Sequence, residues 1–404
     1  MRSDIPKLMK ERGIDSIVVL GGGTHNPVMT YMTGPTKLMR SVYLMKADGT
    51  ALLVHNPMER EEARETGIPS VTWTELGLKK LVEEEKSETR GEARMIGVAL
   101  EKIGAIGKVC FYGNVEAGRF LMIEDFLRQR MRGLEIGIEN ERTIFDVARM
   151  TKDQKEVERM RDVARKTCES FGLTRDLLFS CSIKGEYLIK NDGNRLKIGD
   201  LRAFLRSELI KRGLVEQGGI IITMGRDSAI PHNHGNDDED LRTGRTIVMD
   251  IYPVEVGAGY AFDITRTYCI GHVPDEVRKI YNDVLEAQRM SIASLRLSSP
   301  AKSYQDKVCD FFEDRGYRTI RQDDKLEEGY VHGLGHGIGL EVQERPRLGG
   351  PDTNVDVIEP GNVFTVEPGL YFPDKGIGVR IEDVVYARPD GKFEVLFDFP
   401  RDLS

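Results

Sequence analysis

The sequence of 404 residues has no long hydrophobic run. No stretch approaches the roughly 18 to 20 apolar residues that would span a membrane. Charged residues interrupt the opening segment, MRSDIPKLMKERGIDSIVVL, before it forms an apolar core long enough for a signal peptide. These absences predict a cytoplasmic protein with no membrane partner.

Cysteine is scarce, and basic residues form no cluster. The five cysteines, an odd number, are scattered and include no CxxC pair. This usage is typical of reduced thiols rather than of a disulfide framework. The 58 basic residues are outnumbered by 66 acidic ones, which gives a net charge of −8. Without a Lys/Arg-rich block, a nucleic-acid partner is not expected.

The sequence does contain the material for folded domains, since 40% of its residues are hydrophobic and 31% are charged. At about 150 residues per domain, the length predicts two or three domains. Residues 1–150 alternate strand and helix patterns, from the β-branched run at 16–20 to a helical pattern at 115–131, which predicts an α/β domain. A change to a charged, helical texture places the boundary near Met150, with a second domain at 151–404.

The second domain alternates apolar runs bounded by glycine with helical periodicity. The runs predict strands at 219–223, 246–251, 260–269, 362–367 and 377–386. The periodic segments predict helices at about 199–212, 275–295 and 303–315. The predicted class is therefore α/β, or α+β, throughout the chain.

Several of these strands carry acids that would be costly in a dry core: Asp250 in TIVMD, Asp263 in YAFDITRT, Glu367 in FTVEP and Glu382 in GVRIEDVVY. Facing one another, such groups repel, and repulsion raises a carboxylate pKa. Two divalent cations would offset the charge of about −4 that four carboxylates carry. With His336 as a nitrogen ligand, the set suits Mn²⁺, Co²⁺ or Zn²⁺.

Four of the seven histidines lie in two short segments, PHNH (His232 and His234) and HGLGH (His332 and His336). Glycines alternate with the other residues of HGLGHGIG, so a helix would be costly and the helical HExxH zinc motif is excluded. An extended segment would place His332, Leu334 and His336 on one face. Both imidazoles could then line one cavity.

Other polar residues have simpler interpretations. Asp383, Asp398 and the acidic run 237–240 are interpreted as solvated or capping residues. The glycines at 21–23 follow a predicted strand, but GGGTHN is not the GxGxxG pattern of a nucleotide-binding loop. Any single carboxylate at a strand end is more often a turn former, so the argument for a metal site depends on the whole set.

The set occurs in the order Asp, Asp, His, Glu, Glu, within VMDIYP, DITRT, HGLGHGIGL, TVEPGLY and VRIEDVV. In order and context, residues 219–386 resemble the pita-bread metallopeptidase family, which includes methionine aminopeptidases, Xaa-Pro aminopeptidases and Xaa-Pro dipeptidases (prolidases). The first domain is similar to the creatinase/prolidase N-terminal domain, through its order of elements and the stretch YMTGP. The resemblance implies that such an α/β domain precedes a pita-bread catalytic domain, and it favours the proline-specific branch.

The resemblance also implies a role for each residue. Asp250 would bind one of two divalent ions, Asp263 and Glu382 would bridge both, and His336 and Glu367 would complete the second. A hydroxide bridging the ions would attack the Xaa-Pro bond, and Glu367 would carry its proton to the leaving nitrogen. On the substrate side, His232 and His332 would contact the peptide, and Arg380 would lie near the proline or carboxylate pocket. The implied partners are a peptide with proline at its second position and a second copy of the chain in a homodimer.

Gln343 departs from the family pattern, because it stands on the substrate side where the family often has a histidine that is thought to stabilise the transition state. Its amide can donate a hydrogen bond but cannot carry a positive charge. A catalytically weakened or non-catalytic pita-bread binding protein therefore remains an alternative. A creatinase-like amidinohydrolase is a second one, although such relatives lack ligand acids that this chain keeps. Dipeptidase and aminopeptidase activities are not distinguished by the sequence.

Overall fold

The computed structural model describes residues 4–139 and 142–404. Positions 1–3, 140 and 141, which belong to the first domain predicted from the sequence, lie outside the described residues. The contacts within the chain define two units. One is Met1–Arg149 with Gly257–Gly259, and the other is Met150–Val256 with Tyr260–Ser404.

The first unit is built on a six-stranded sheet in the order β4-β3-β2-β1-β5-β6. Its strands are β1 (Ser16–Gly21), β2 (Ser41–Lys46), β3 (Ala51–His55), β4 (Ser70–Thr72), β5 (Gly107–Gly113) and β6 (Leu134–Gly137). Its helices are α1 (Asp4–Glu11), α2 (Pro27–Thr33), α3 (Arg60–Glu65), α4 (Leu78–Glu85), α5 (Glu88–Lys102), α6 (Ala117–Arg130) and α7 (Ile144–Met150), the last of which reaches the boundary.

Local sequence signals account for much of this unit. The apolar run at 16–20 forms β1, whose residues are almost all buried. The Asp48-Gly49 dipeptide lies in the turn between β2 and β3, which pair antiparallel as its turn chemistry predicts. Residues Val18, Leu44 and Ile96 belong to one buried cluster, so the strands and helix α5 share a core.

The second unit has four α-helices within the described part of the chain: α8 (Gln154–Ser180), α9 (Ile198–Lys211), α10 (Asp275–Ser294) and α11 (Lys302–Glu313). Its strands are β7 (Ser182–Lys184), β8 (Tyr187–Ile189), β9 (Leu214–Met224), β10 (Ile247–Glu255), β11 (Ile264–Tyr268), β12 (His336–Ile338), β13 (Val342–Arg347), β14 (Val363–Val366), β15 (Gly369–Phe372), β16 (Ile377–Arg380), β17 (Asp383–Ala387) and β18 (Phe393–Val395).

Two sheets of this unit carry the site. One is β11-β10-β9, and the other is β13-β12-β14-β17-β18. A two-stranded ribbon of β15 and β16 lies between β14 and β17 in sequence. Of the remaining strands, β7 and β8 form a separate hairpin.

Helix α8 shows how sequence dictates structure here. Asp153 caps it: the Asp153 carboxylate accepts a hydrogen bond from the Glu156 N–H at 3.0 Å, and the Glu156 carboxylate accepts one from the Asp153 N–H at 2.7 Å. This reciprocal capping box fixes the first turn. The periodic positions Val157, Met160 and Val163 are buried, as the spacing predicts.

The sequence-predicted strand at 377–386 is wrong in one respect, because the structure divides it into β16 and β17. β16 pairs with β15, and β17 then pairs with β14, so the chain changes sheets at Ile381 and Glu382. The position of Asp250 also differs from the prediction. It lies within β10, which continues to Glu255, rather than at a strand end.

The interpretation of Asp383 as a solvated or capping residue is also wrong. Asp383 is 2% exposed, and its carboxylate accepts hydrogen bonds from Arg266 at 2.7 Å, from Arg401 at 2.9 Å, and from Gln288. We call Arg266, Gln288, Asp383 and Arg401 the Asp383 cluster. Its members come from distant segments, so local sequence gave no sign of it.

Among the described helices, none combines the length and the apolar content needed to cross a bilayer.

Candidate metal centre

Four of the five predicted ligands lie together in the second unit. Asp263, His336 and Glu382 each offer a ligand atom, and these atoms all lie within 4.8 Å of one another. Nε2 of His336 is 3.3 Å from Oε1 of Glu367 and 4.0 Å from Oδ2 of Asp263. Two atoms that one cation bonds at about 2.0–2.2 Å lie at most about 4.4 Å apart, so the separations of 3.3 and 4.0 Å suit a shared cation.

The fifth predicted ligand, Asp250, is paired with an arginine. Its Oδ2 accepts a hydrogen bond from Nη2 of Arg380, which is buried as well. Its Oδ1 has no partner among the residues that the structure describes. One oxygen of Asp250 is therefore fixed and the other is free to bind a ligand.

Strand pairing brings the carboxylates together across long stretches of sequence. In the β10–β11 pair, Asp250 lies opposite Thr265. Thr265 also bridges to Glu382: its carbonyl accepts the Glu382 N–H at 3.1 Å, and its hydroxyl donates to Glu382 Oε2 at 2.7 Å. Since Asp263 directly precedes β11, Thr265 joins the segments of all three acids.

The other two ligands depend on close packing of β12 against β14. His336 begins β12, and Glu367 directly follows β14. A Cβ atom at Gly335 would lie only 2.0 Å from the carbonyl oxygen of Thr365, so the backbones approach this closely only with glycine. The Thr365 hydroxyl accepts from the His336 N–H at 3.1 Å and donates to Oε1 of Glu367 at 3.0 Å. The glycines of HGLGH thus allow His336 and Glu367 to meet.

The imidazole of His336 is oriented for a cation. Its Nδ1 lies 3.0 Å from the carbonyl oxygen of Gly337. When the proton is on Nδ1, that carbonyl accepts it and Nε2 presents its lone pair toward Asp263 and Glu367. The Gln343 N–H, 3.2 Å from Nδ1, suits the other tautomer. The contact with the Gly337 carbonyl is typical of metal-binding histidines.

Burial and mutual repulsion oppose ionisation of the carboxylates. Burial, and then the charges of Glu382, Asp250 and Glu367, raise the pKa of Asp263 well above its ordinary value. Burial, with the charges of Glu367 and Asp250, likewise raises the pKa of Glu382. Burial raises the pKa of Glu367 to about 7, although the Arg380 charge opposes the shift. A divalent cation would reverse these shifts, because it favours the charged form of each acid.

The carboxylate oxygens without hydrogen-bond partners indicate whether the residues fit a metal ion. Oδ1 of Asp250, Oδ1 of Asp263 and Oε1 of Glu382 are buried and lack any hydrogen-bond partner within residues 4–139 and 142–404. A lone buried acceptor is costly, and three in one place need a common explanation. Carboxylate oxygens with one imidazole and no thiolate match the donor sets of hard and borderline divalent ions. The residues present therefore fit a divalent metal.

A chain of hydrogen bonds leads from this centre to His332. Nδ1 of His332 lies 2.8 Å from the Gly333 carbonyl oxygen, so it holds the proton and Nε2 is an acceptor. The Tyr371 hydroxyl donates to that Nε2 at 2.8 Å, and Nη1 of Arg380 donates to the Tyr371 oxygen at 2.8 Å. Arg380 completes the chain through its bond to Asp250.

The chain has a defined protonation state at neutral pH. Burial, and then the charge of Arg380, lower the pKa of His332 to about 4, so its imidazole is neutral. Burial raises the pKa of Tyr371 to about 12, so its hydroxyl keeps its proton. The Tyr371 hydroxyl is therefore a donor to His332 and an acceptor from Arg380.

The five predicted ligands line one cavity of about 600 Å³, together with His332 and Arg380. It also contains His232, His234 and Gln343. Every residue proposed from the sequence as a ligand, catalytic group or substrate contact therefore lies on this cavity. The main-chain nitrogen of Gln343 is 3.2 Å from Nδ1 of His336, and the Gln343 side chain is exposed.

The structure corrects one expectation about the site and adds one residue to it. Leu334 does not share a face with the two histidines: it packs in the core, because the segment before β12 is irregular rather than extended. Tyr371 was not singled out from the sequence, yet it connects His332 to Arg380. Alternation in EPGLY, which places Glu367, Gly369 and Tyr371 on one side, is the signal that could have identified it.

With this geometry established, comparisons with known proteins identify the class. The sequence model of metallopeptidase family M24 matches residues 158–389. This is more than half of the chain, and it contains all five predicted metal ligands. The chain therefore belongs to metallopeptidase family M24.

Curated relatives match over part of their length. The probable dipeptidase PepE of Mycobacterium tuberculosis is 36% identical over 197 residues, which are 48% of this chain and 48% of that protein. The Xaa-Pro dipeptidase of Pyrococcus furiosus is 36% identical over 174 residues, which are 42% of this chain and 45% of that protein. The matched segments span about half the length of these relatives.

Solved structures match over nearly the whole chain. The X-Pro aminopeptidase from Thermotoga maritima has a TM-score of 0.73 at 25% identity, and the match covers 100% of this chain and 99% of that one. The prolidase from Pyrococcus horikoshii has a TM-score of 0.76 at 23% identity, with the same coverage. The predicted fold class, an N-terminal α/β domain followed by a pita-bread domain, is thereby confirmed.

Proposed function

We propose that this chain is a metal-dependent exopeptidase that hydrolyses the Xaa-Pro bond of dipeptides or at peptide N-termini, using two divalent ions. The observation that carries the proposal is the set of three unpaired, buried carboxylate oxygens beside His336 on one cavity. Membership of family M24 supports metal-dependent peptide hydrolysis. The proline preference is supported by the P. furiosus relative, which is an Xaa-Pro dipeptidase.

In this proposal Asp250, Asp263, His336, Glu367 and Glu382 hold the two ions. Mn²⁺ or Co²⁺ suits these oxygen-rich ligands best, and Zn²⁺ is also compatible. The bound ions would lower the pKa of a water molecule and polarise the scissile carbonyl group. The free oxygens of Asp250, Asp263 and Glu382 are the atoms that remain for binding.

The surrounding residues bind and orient the peptide and move the proton. Glu367 accepts the proton of the attacking water and delivers it to the leaving nitrogen. Arg380 holds Asp250 in place and orients the hydroxyl of Tyr371. His332, which is neutral, and His232 both line the cavity, where they can contact the peptide.

Gln343 favours one second candidate, a binding protein with weak or no hydrolytic activity. Its side chain is exposed on the cavity wall, seven positions after His336 along the sequence. An amide at this place can donate a hydrogen bond to a developing oxyanion but cannot donate a proton. If only the hydrogen bond matters, catalysis survives with a loss of about one to three orders of magnitude.

The test uses the purified full chain, loaded with Mn²⁺ or Co²⁺, and a panel of Xaa-Pro dipeptides and longer Xaa-Pro peptides. We expect cleavage of Xaa-Pro substrates and none of matched Xaa-Ala peptides. The panel also separates a dipeptidase from an aminopeptidase. Metal analysis on the same sample should find two ions per chain.

The Gln343→His variant distinguishes the two candidates. Under the peptidase proposal, this variant should raise turnover by about tenfold, because the imidazole adds a stronger donor. Gln343→Glu, which keeps the size but adds a negative charge, is the matched control and should lower turnover. If neither the wild type nor Gln343→His cleaves any peptide while both hold two ions, the binding-protein candidate replaces the peptidase.

A further inference from the structure

The buried guanidinium of Arg266 uses its full bonding capacity. Arg266 is 0% exposed, and a guanidinium has five N–H donors. These donors bond to the carbonyl oxygens of Pro400, Thr265, Glu382 and Phe399 and to Oδ1 of Asp383, at distances of 2.9, 2.9, 2.6, 2.9 and 2.7 Å. One side chain thus joins a metal-ligand segment to residues 399–400.

The other oxygen of Asp383 joins the same two parts of the chain. Asp383 Oδ2 accepts from Nε and Nη2 of Arg401, at 2.9 and 2.7 Å. Arg401 is itself anchored, since its carbonyl oxygen accepts the Tyr281 hydroxyl at 2.7 Å. Two residues on, the Leu403 carbonyl accepts the Cys269 N–H at 2.7 Å. The segment 396–403 is therefore tied to the core on both sides of Arg401.

Glu382 needs such support more than the other acids do. It lies where the chain changes sheets, so it has no regular strand partner on one side. Its charge is repelled by Glu367 and Asp250. Arg266 donates a hydrogen bond to the Glu382 carbonyl, and the Glu382 N–H donates one to the Thr265 carbonyl. These two bonds oppose displacement by the repulsion.

We propose that the Asp383 cluster positions Glu382 for metal binding. Segment 396–403 then contributes to metal affinity without touching the metal. This inference rests on the proposed function, because it concerns the same metal centre. Its physical basis is that groups behind the ligands set their orientation, and that changes to such groups weaken metal binding by about 10- to 100-fold.

The test is Mn²⁺ binding to the full-length, metal-stripped chain, measured by titration calorimetry and by the metal-dependent rise in Tm. Arg401→Met removes one guanidinium but leaves Arg266 to pair with Asp383, and the Arg401 side chain is 18% exposed. We expect about tenfold weaker binding with little change in the Tm of the metal-free protein. Arg401→Lys keeps the positive charge but replaces the planar guanidinium with an ammonium group, so it should recover part of the Mn²⁺ affinity.

Arg388→Met is the matched control, because Arg388 makes an exposed ion pair with Asp390 at 2.9 Å, outside the cluster. It should bind Mn²⁺ as the wild type does. Arg266→Lys should show a larger loss than Arg401→Met, since a lysine cannot reproduce five bonds. If Arg266→Lys fails to fold, the Arg401 pair still decides the question.

Three results would overturn the inference. The first is an Mn²⁺ affinity of Arg401→Met equal to that of the wild type, and the second is a loss of affinity no larger than that of Arg388→Met. The third is that Arg401→Met lowers the Tm of the metal-free protein while leaving the metal-dependent rise in Tm unchanged, which describes a purely structural role. Failure of the wild type itself to bind Mn²⁺, Co²⁺ or Zn²⁺ would instead overturn the proposed function, and the inference with it.

Discussion

Glu382 and Asp383 are adjacent, both are buried, and they belong to opposite kinds of charged cluster. The oxygens of Asp383 are saturated by Arg266, Arg401 and Gln288. Glu382 accepts a bond from Thr265 through Oε2, whereas its Oε1 has no partner among the described residues. A buried charge with complete hydrogen bonding holds a structure together, and one left incomplete indicates a place for a ligand.

The comparison also explains why the two acids were difficult to distinguish from the sequence. In GVRIEDVVY both follow an apolar run, and neither residue type reveals what it will meet. Arg266 and Arg401 are partners of Asp383, and Thr265 is a partner of Glu382. Only the folded sheets bring these residues together, so the difference is a property of tertiary structure.

The largest expected effect comes from a change in the metal centre, where buried carboxylate oxygens lack hydrogen-bond partners. Asp263→Asn removes a predicted bridging charge, so both ions should be lost or one should be held loosely, and turnover should fall by more than about 10³-fold. Metal analysis and peptide hydrolysis measure the two effects. Asp390→Asn, at an exposed acid outside the metal centre and the Asp383 cluster, is the control and should leave both unchanged. Full metal occupancy in Asp263→Asn would show that the assignment of this ligand is wrong.

Isosteric changes at Glu382 and Asp383 should shift the free energy of unfolding of the metal-free protein in opposite directions. Asp383→Asn leaves two guanidinium groups without a buried counter-ion and should lower the free energy of unfolding by about 3–5 kcal/mol. Glu382→Gln removes one of several repelling charges and should raise it by about 1 kcal/mol at pH 7.5. Urea unfolding in the presence of a chelator measures both. A loss of stability in Glu382→Gln comparable to that in Asp383→Asn would contradict the distinction.

Loss of the Tyr371 hydroxyl should affect catalysis and spare the metals. Tyr371→Phe breaks the bridge between His332 and Arg380 and should lower kcat by about 10- to 100-fold, with two ions still bound. Tyr304→Phe is the matched control, because that buried hydroxyl bonds to the Arg296 N–H away from the cavity. A Tyr371→Phe enzyme with normal kcat would show that the hydrogen-bond chain is not used in the reaction.

The smallest effect concerns pH and the stability of the metal-free protein. Raised carboxylate pKa values mean that the folded state binds more protons than the unfolded state, from the ordinary pKa of about 4.5 up to about 7 for Glu367. Stability that these acids provide at low pH is therefore lost as the pH rises through this window. The lowered pKa of His332, about 4, acts in the opposite direction between pH 4 and 6.5. The net fall should consequently be clearest above pH 6.5.

Thermal unfolding in chelator at pH 6.5 and at pH 8 measures this effect. We expect a Tm several degrees lower at pH 8, on the scale of roughly 2–4 °C per kcal/mol. Added Mn²⁺ should remove the difference, since bound cations favour the ionised acids. A Tm that rises with pH in the metal-free protein would mean that the acids do not interact as the structure indicates.

Much of the site was accessible to sequence reasoning because its signals are local. Acids at Asp263 and Glu367 interrupt or end apolar strands, and the glycines around His336 exclude a helix. The fold class followed from alternating patterns of the same kind. These features depend on a few neighbouring residues, so a single sequence is enough to predict them.

The remaining features depend on contacts between distant segments. The break between β16 and β17 is caused by pairing with two different strands, which the continuous apolar pattern of 377–386 does not reveal. The role of Tyr371 likewise depends on His332 and Arg380, which reach it from other segments. Periodicity predicts which side of a strand a residue occupies but not what faces it.

The scattered origin of the metal ligands also has a consequence for folding kinetics. Asp250, Asp263, His336, Glu367 and Glu382 come from separate strands and turns, and they meet only when both sheets are formed. A partly folded chain has closed few of the loops between them, so it gains little from the ions. Metal should thus leave the folding rate nearly unchanged and slow unfolding, because it stabilises contacts absent from the transition state. The loaded protein would then persist mainly through a high barrier to opening.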